Sequence, residues 1–271
     1  MKEHKFVRIC LLVVLSIIYV FPIIWLISIS LKHEVDIFSI PPKWFFTPTF
    51  VHYQNVLADS SVSTFFMNSL VIAVGTTLLA LLVSILAAYG YTRFQSKFGM
   101  RFIFSLFLLR MLPGVAVVIP IYMVACKLSM VGSYLTLILV HVCIVLPIAV
   151  LMLQNFILDI PKELEEAAMV DGCSKFGAFI RVVLPLVVPG IVATSVLSFL
   201  TSWNEFLFSL TLSGSNTQTL PVGVTAFMAD KTINWGEIAA MGVIMIIPVC
   251  ILTFLVQKYL IKGLTMGAVK G

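Results

Sequence analysis

Apolar residues in this chain fall into six long blocks separated by short polar stretches, and that pattern sets the fold class before any single residue is considered. The blocks cover residues 9–31, 67–91, 102–125, 134–158, 185–212 and 238–260. Each reaches the roughly 20 mainly apolar residues that a helix needs to cross a hydrocarbon core. The pattern predicts an all-α integral membrane protein with six transmembrane helices. Lys2, Lys5 and Arg8 precede the first block, as in a signal peptide. Its apolar run is longer than an h-region of about 7–15 residues, and no small-x-small cleavage site follows. A retained first helix is the expectation.

Six spans place both termini on one side, and the basic residues indicate which. The segments on the terminal side hold Lys2, Lys5, Arg8, Arg93, Lys97, Arg101, Lys162, Lys175, Arg181, Lys258, Lys262 and Lys270; the other side holds Lys32, Lys43, Lys127 and Lys231. Positive charge accumulates in cytoplasmic loops, so both termini are expected in the cytoplasm, with the chain passing several times through the cytoplasmic (plasma) membrane. The external segments are then 32–66, 126–133 and 213–237, and the cytoplasmic ones 92–101 and 159–184. Pro41-Pro42 and several aromatic residues predict that the first external loop is ordered and lies along the membrane surface. The expected organisation is a first helix and long external loop (1–66), a five-helix core (67–260) and a short cytoplasmic tail (261–271). Pro22, Pro113, Pro120, Pro147, Pro189 and Pro248 lie within the blocks, where each removes a backbone donor and tends to kink a helix.

Composition agrees and removes two classes. Of 271 residues, 61% are hydrophobic and 11% charged, against about half and about one quarter in a soluble domain. Neither a soluble fold nor a disordered chain has these proportions. The net charge of +5 is scattered singly, so no nucleic-acid-binding face is expected. Five cysteines, widely spaced and without a CxxC pair, give neither a disulfide framework nor a metal site.

The stretch from Asp159 to Pro185 differs from the rest. Pro161 suits the first position of a helix, and Glu163, Glu165 and Glu166 sit near its positive N-terminal end. Leu164, Ala167 and Ala168 share a face small enough for another backbone to approach. Gly172 can turn the chain out of that helix. A second short helix is expected from Ser174, with Phe176, Phe179, Ile180 and Val183 on one apolar stripe, closing at Leu184-Pro185 where the fifth span opens. The product is a helix–turn–helix with an acidic, small-residue surface, shaped for docking rather than catalysis.

Glu166-Ala167-Ala168, then Gly172, then Val182, Leu184 and Pro185 resemble the EAA loop of ATP-binding-cassette importer permeases, with Val182 where that pattern has Ile. Asn68-Ser69-Leu70, Ala88-Tyr89 with Arg93, Trp203-Asn204-Glu205 and the tail 263–271 resemble the carbohydrate branch, in particular the six-span permease of maltose-type importers. The resemblance implies a type I importer: this chain pairs with a second permease subunit, two cytoplasmic ATPase subunits bind ATP and Mg, and an external solute-binding protein delivers substrate. It also implies that Glu165, Glu166, Ala167, Ala168, Asp171, Gly172, Leu184 and Pro185 couple the chain to the ATPase. The tail is then expected to reach toward the ATPase pair.

The chain itself carries no chemistry-bearing motif. GxxxxGK[ST] is absent, so nothing here cradles the phosphates of ATP, and no HExxH, GxSxG or usable Cys/His pair occurs. No cofactor bound by this chain is expected, and ATP hydrolysis is expected in a partner. Intramembrane polar residues are pathway candidates: Arg110, Trp203, Asn204 and Glu205 stand out, with Ser202, Asn68, Gln154 and Asn155 as polar neighbours. Trp203, Tyr122 and Phe206 offer aromatic faces of the kind sugars stack on. His141, the one histidine within a span, reads as a helix–helix hydrogen-bonding group. Two alternatives stand beside sugar import: a permease for glycerol phosphate or a polyol, which would want a clustered basic site, and a secondary transporter, which would leave the EAA loop without a purpose.

Overall fold

The structure, a computed structural model, describes residues 2–94, 99, 101, 104–106, 108, 111–228 and 233–266, with side chains from residue 7 to residue 257. Among the described residues the secondary structure is entirely helical. The first elements are α1 (Lys2–Ser30), α2 (Glu34–Ile37), α3 (Val51–Ala58) and α4 (Ser60–Phe94); then come α5 (Gly114–Lys127), α6 (Tyr134–Leu158), α7 (Lys162–Val170) and α8 (Lys175–Ala178). A π-helical turn (Phe179–Val183) leads into α9 (Leu184–Trp203), followed by α10 (Leu207–Leu212), α11 (Leu220–Gly223), a 3-10 turn (Val224–Met228) and α12 (Trp235–Met266).

Five helical stretches are long and apolar enough to cross a membrane: Val7–Ser30, Ser60–Phe94, Tyr134–Leu158, Lys175–Trp203 and Trp235–Gln257. A sixth, α5, has 14 residues, about 21 Å of helix against a hydrocarbon core of about 30 Å. The α6 bounds coincide with the fourth apolar block. Ser133 caps it, its hydroxyl accepting from Thr136 N–H at 3.2 Å. At 35 residues, α4 is roughly 50 Å long, so it must protrude from the bilayer. Asp59 starts α4 by accepting from the Ser61 hydroxyl and from its N–H at 2.9 Å, which holds its carboxyl below the usual carboxylate range.

Three expectations need correction. The third block is not one helix: the described residues 104–106, 108 and 111 are helical, then Leu112-Pro113 interrupts and Pro113, at ψ 131°, becomes the N-cap of α5. The fifth block, 185–212, is broken after Trp203, and α10 restarts at Leu207. Conversely, Leu184-Pro185 does not end a separate helix. The chain passes without a stop from α8 through the π turn into α9, with Pro185 in the first turn of α9. A proline clashes with the carbonyl four residues back, and the wider π turn lies where that carbonyl, of Arg181, would otherwise stand.

The chain divides into two compact units, residues 1–63 with 223–249, and residues 64–222 with 250–271. The second holds the packed core. At one end Ile85, Ala88, Val150, Leu153, Ile157, Phe179, Val183 and Val187 bring α4, α6, the π turn and α9 together. At the other, Ile72, Val118, Ala125, Leu137, Phe208 and Leu212 join α4, α5, α6 and α10. The approach of α9 to α6 is tight, since a Cβ on Gly190 would stand 2.4 Å from the Phe156 ring. At the end nearer α10, the Asn68 amide donates to the carbonyls of Asn216 (3.0 Å) and Gln218 (2.8 Å), Tyr134 donates to Asn68 Oδ1 (2.6 Å), and Ser69 Oγ accepts from Leu220 N–H (2.7 Å). These bonds fix residues 213–220 onto the start of α4.

Candidate functional site

The loop 159–185 is held by one buried ion pair. Arg93, on the protruding last turn of α4, donates from Nε to Glu165 Oε1, and Tyr89 donates its hydroxyl to Oε2 at 2.8 Å. The same guanidinium donates to the carbonyls of Ile160 (3.0 Å) and Ile157 (3.3 Å), just beyond and within the last turn of α6. Tyr89 in turn packs on Phe179, ring centroids 4.5 Å apart. Four segments (α4, the end of α6, α7 and the π turn) are therefore joined at Arg93, Glu165 and Tyr89. Glu165 is 6% exposed, so its charge depends on these partners.

One residue further on, the side chain points the other way. Glu166 is exposed, as are Glu163, Leu164, Ala167, Val170, Asp171 and Gly172, while Ala168 is half-buried. Val170 has 87% of its surface open. The outward face of α7 is thus acidic, small and in part apolar. Pro161 sits at the N-cap, one position earlier than expected. At the other end Gly172 N–H bonds to Met169 O at 3.1 Å and Cys173 N–H to Ala168 O at 3.0 Å, with Gly172 at φ +92°. This paired closure around a left-handed residue is what glycine permits without a Cβ penalty. Ser174 then caps α8, its hydroxyl accepting from Gly177 N–H at 3.1 Å. The stripe expected of the second helix is split: Phe179 and Val183 are buried, whereas Phe176 and Ile180 face outward beside α7. Leu184 is half-buried and Pro185 exposed. A pocket of about 170 Å³ opens between the end of α4 and α7–α8, lined in part by Arg93, Lys162, Glu166 and Lys175.

Of the intramembrane candidates, Trp203, Asn204 and Glu205 are described, and each is engaged within the chain. Trp203 is 1% exposed and packed between Phe199 (5.5 Å, stacked) and Phe66 (5.7 Å, edge-on), so its faces are already used. Asn204 caps α9 and donates its amide to Leu200 O at 2.9 Å. Glu205 lies two residues before α10 and binds its first turn: Oε1 accepts from Phe208 N–H (2.8 Å), and Oε2 accepts from Ser209 N–H (2.9 Å) and its hydroxyl (3.0 Å). Fully buried His141, on α6, stands 3.2 Å from Glu205 Oε2 through Nε2 and 2.8 Å from Ser202 Oγ through Nδ1. Ser209 Oγ also stands 3.3 Å from Nε2, so both ring nitrogens have polar partners. The Trp203–Glu205 segment is therefore a helix break braced against α6, and His141 has the helix–helix role expected of it. Arg110 lies outside the described residues.

Comparison with known proteins fits this architecture. Residues 80–266 match the family described as binding-protein-dependent transport system inner membrane component. The chain belongs to that family. It is a multi-pass permease component of the inner membrane, not the nucleotide-hydrolysing part of the system. Across nearly its whole length it is similar to the diacetylchitobiose uptake system permease protein DasC of Streptomyces coelicolor, 38% identical with 96% of this chain and 95% of that one covered. It is likewise 34% identical to the trehalose/maltose transport system permease protein MalG of Thermococcus litoralis, with both chains covered in full. Among solved structures, a chain of a bacterial ABC transporter involved in the import of the acidic polysaccharide alginate shares the fold, with TM-score 0.81, 21% identity and coverage of 95% of this chain and 96% of that one.

Sequence reasoning picked out Tyr89 and Arg93 only as parts of a family pattern; their bonds to Glu165, 76 and 72 positions away, could not be read from spacing. Ser202 was likewise legible only as a polar residue in an apolar run, and Ser209 was not picked out.

Proposed function

We propose that this permease component carries a sugar or oligosaccharide across the membrane as one half of an ATP-driven type I importer, with loop 159–185 coupling it to the ATPase. The observation that carries the proposal is the division of labour between adjacent glutamates. Glu165 is turned inward and locked to Arg93 and Tyr89, while Glu166, Ala167, Leu164 and Val170 are turned outward on the same short helix. A helix whose back is bolted to three other segments moves the bundle when its front is pushed. Such a face suits a lever seated in a partner's cleft.

In this reading both termini are cytoplasmic, α5 with the helical residues before it completes the sixth span, residues 67–260 form the core after the first helix and loop (1–66), and residues 261–271 form a tail toward the ATPase. A second permease subunit completes the pathway, two ATPase subunits hold ATP and Mg, and an external binding protein delivers substrate. Glu166, Ala167, Ala168, Asp171 and Gly172 meet the ATPase, with Leu184 and Pro185 holding α9 against the π turn behind them. The sugar assignment draws on relatives named for diacetylchitobiose and for trehalose or maltose. Nucleotide binding closes the ATPases and shifts the bundle between two packings; the binding energy enters through α7.

The test is purification of the tagged chain from its native membrane in mild detergent. Recovery with a second permease and an ATPase, lost when Glu166 and Gly172 are both replaced, is the expected result. A chain that purifies alone, or as a homo-oligomer indifferent to those changes, would mean that the loop is not a coupling element.

A further inference from the structure

The segment after α1 does not stay at the end of that helix. Trp44 lies against Trp25 (ring centroids 5.3 Å, edge-on) and Phe21 (6.4 Å), both on α1. At 1.5 Å per residue these rings are rooted about 7 Å and about 13 Å before the helix ends at Ser30. The span Val7–Ser30 is about 36 Å long, some 6 Å more than the hydrocarbon core. The residues that Trp44 touches therefore sit at or below the boundary between headgroups and acyl chains.

The rest of the segment is built for the same place. Ile40 and Phe45 are 96% and 97% exposed, and Val35, Phe38, Trp44 and Phe50 are exposed as well. In water this would be an apolar patch of a kind that soluble surfaces rarely leave open. Lys43 is the only charge in residues 38–50, and it is paired with the Asp36 carboxylate. Pro41, Pro42 and Pro48 have no N–H to leave unpaired, and Thr49 N–H donates to Leu31 O at 2.9 Å, closing the loop at its neck. Lys32, 2% exposed, lays its ammonium over the rings of Trp25 (4.8 Å) and Phe46 (5.1 Å) rather than in water. Every described side chain of α1 from residue 7 to residue 24 is exposed, so the patch continues an uncovered apolar face already the length of a membrane.

We propose that residues 38–50 form a lipid-binding loop that folds back along α1 and inserts Ile40, Trp44 and Phe45 into the adjoining leaflet, anchoring that end of the first span. The backbone stays at headgroup depth, where water still reaches its polar groups; the side chains enter the upper acyl region. Trp25 and Trp44 sit where tryptophan is enriched in membrane proteins. A protein partner is the weaker occupant, because transient protein interfaces are polar-rimmed and wet, and this patch holds one neutralised ion pair.

The experiment places an environment-sensitive fluorophore on Phe45→Cys, and separately on Ile40→Cys, in a background free of the native cysteines, within the assembled transporter in lipid vesicles. Ile40 is a second reporter because none of the ring contacts depends on it. Expected are blue-shifted emission, quenching by nitroxide lipids that is stronger for a label near the top of the acyl chain than near its end, and protection from iodide. Quenching by iodide and not by nitroxide lipids would put the loop in water. Protection from both quenchers would mean that another subunit covers it, and protection from iodide only after the external binding protein is added would make it a docking surface. Any of those three results overturns the proposal.

Discussion

Arg93 and Glu165 carry the largest residue-scale consequence in the molecule. Both side chains are nearly buried, so removing one partner strands a charge, at a cost of about 3–5 kcal/mol, whereas replacing both with apolar groups can be close to neutral. Arg93→Ala is expected to lower the thermal unfolding midpoint of the purified complex sharply, and Arg93→Met with Glu165→Leu to recover most of that loss. A single substitution that melts like the parent would show that the pair does not hold the loop. Glu205 is the second case. Its carboxylate caps α10 and meets His141, so Glu205→Ala removes a cap worth about 1 kcal/mol and leaves the buried imidazole with only the hydroxyls of Ser202 and Ser209 as partners. Slower uptake by a fully assembled complex is expected, with Glu205→Gln milder because it keeps an acceptor. Normal uptake in Glu205→Ala would remove the helix break from the transport cycle. Both residues stand out in the sequence as charges in or beside apolar blocks. Their partners do not, because a bond across 72 positions leaves no periodic trace.

At the scale of elements, hydropathy located the helices well and their interruptions poorly. The α6 bounds were legible because polar residues flank that block on both sides. The break at Asn204–Phe206 was not, since it contains neither glycine nor proline and its cap, Glu205, reads as an intramembrane charge. The passage through Leu184-Pro185 misled in the opposite direction: proline signals a stop, and only the π turn before it shows how the helix continues. Gly172 was legible in both place and reason. Its φ of +92° costs an L side chain about 1–2 kcal/mol, while the space around its missing Cβ is empty within the chain. Gly172→Ala should therefore lower the midpoint modestly, and Gly172→Asn less, because asparagine tolerates that region. If coupling between substrate-stimulated ATP hydrolysis and uptake fails equally in both, the cause is a clash with the partner rather than strain in the turn. Gly190→Ala is expected to be harsher, by about 1–3 kcal/mol, since the Phe156 ring already occupies that space.

For the whole molecule, the decisive property is that a mostly apolar chain exposes apolar surface in two environments. Most of it lies on long helices, where lipid is the solvent. Leu164, Val170, Phe176 and Ile180 are different: they sit on or beside an acidic helix that begins beyond the end of α6, at a bundle end where Arg93 and Lys175 also lie. Lipid does not explain an apolar group flanked by Glu163, Glu166 and Asp171, whereas a protein cleft that takes both does. Val170 is the best reporter, being 87% open and outside every described side-chain hydrogen bond and ring contact. Val170→Cys, in a background lacking the native cysteines, should react readily with a water-soluble maleimide in the permease pair alone. It should become protected when the ATPase subunits are bound. Protection should persist through the nucleotide cycle if α7 stays seated while the bundle moves, and should lapse with each turnover if the contact is made and broken. Equal labelling with and without the ATPase would place the contact elsewhere on the chain. The inward lock of Glu165 would then be a structural staple, with no share in transmitting force.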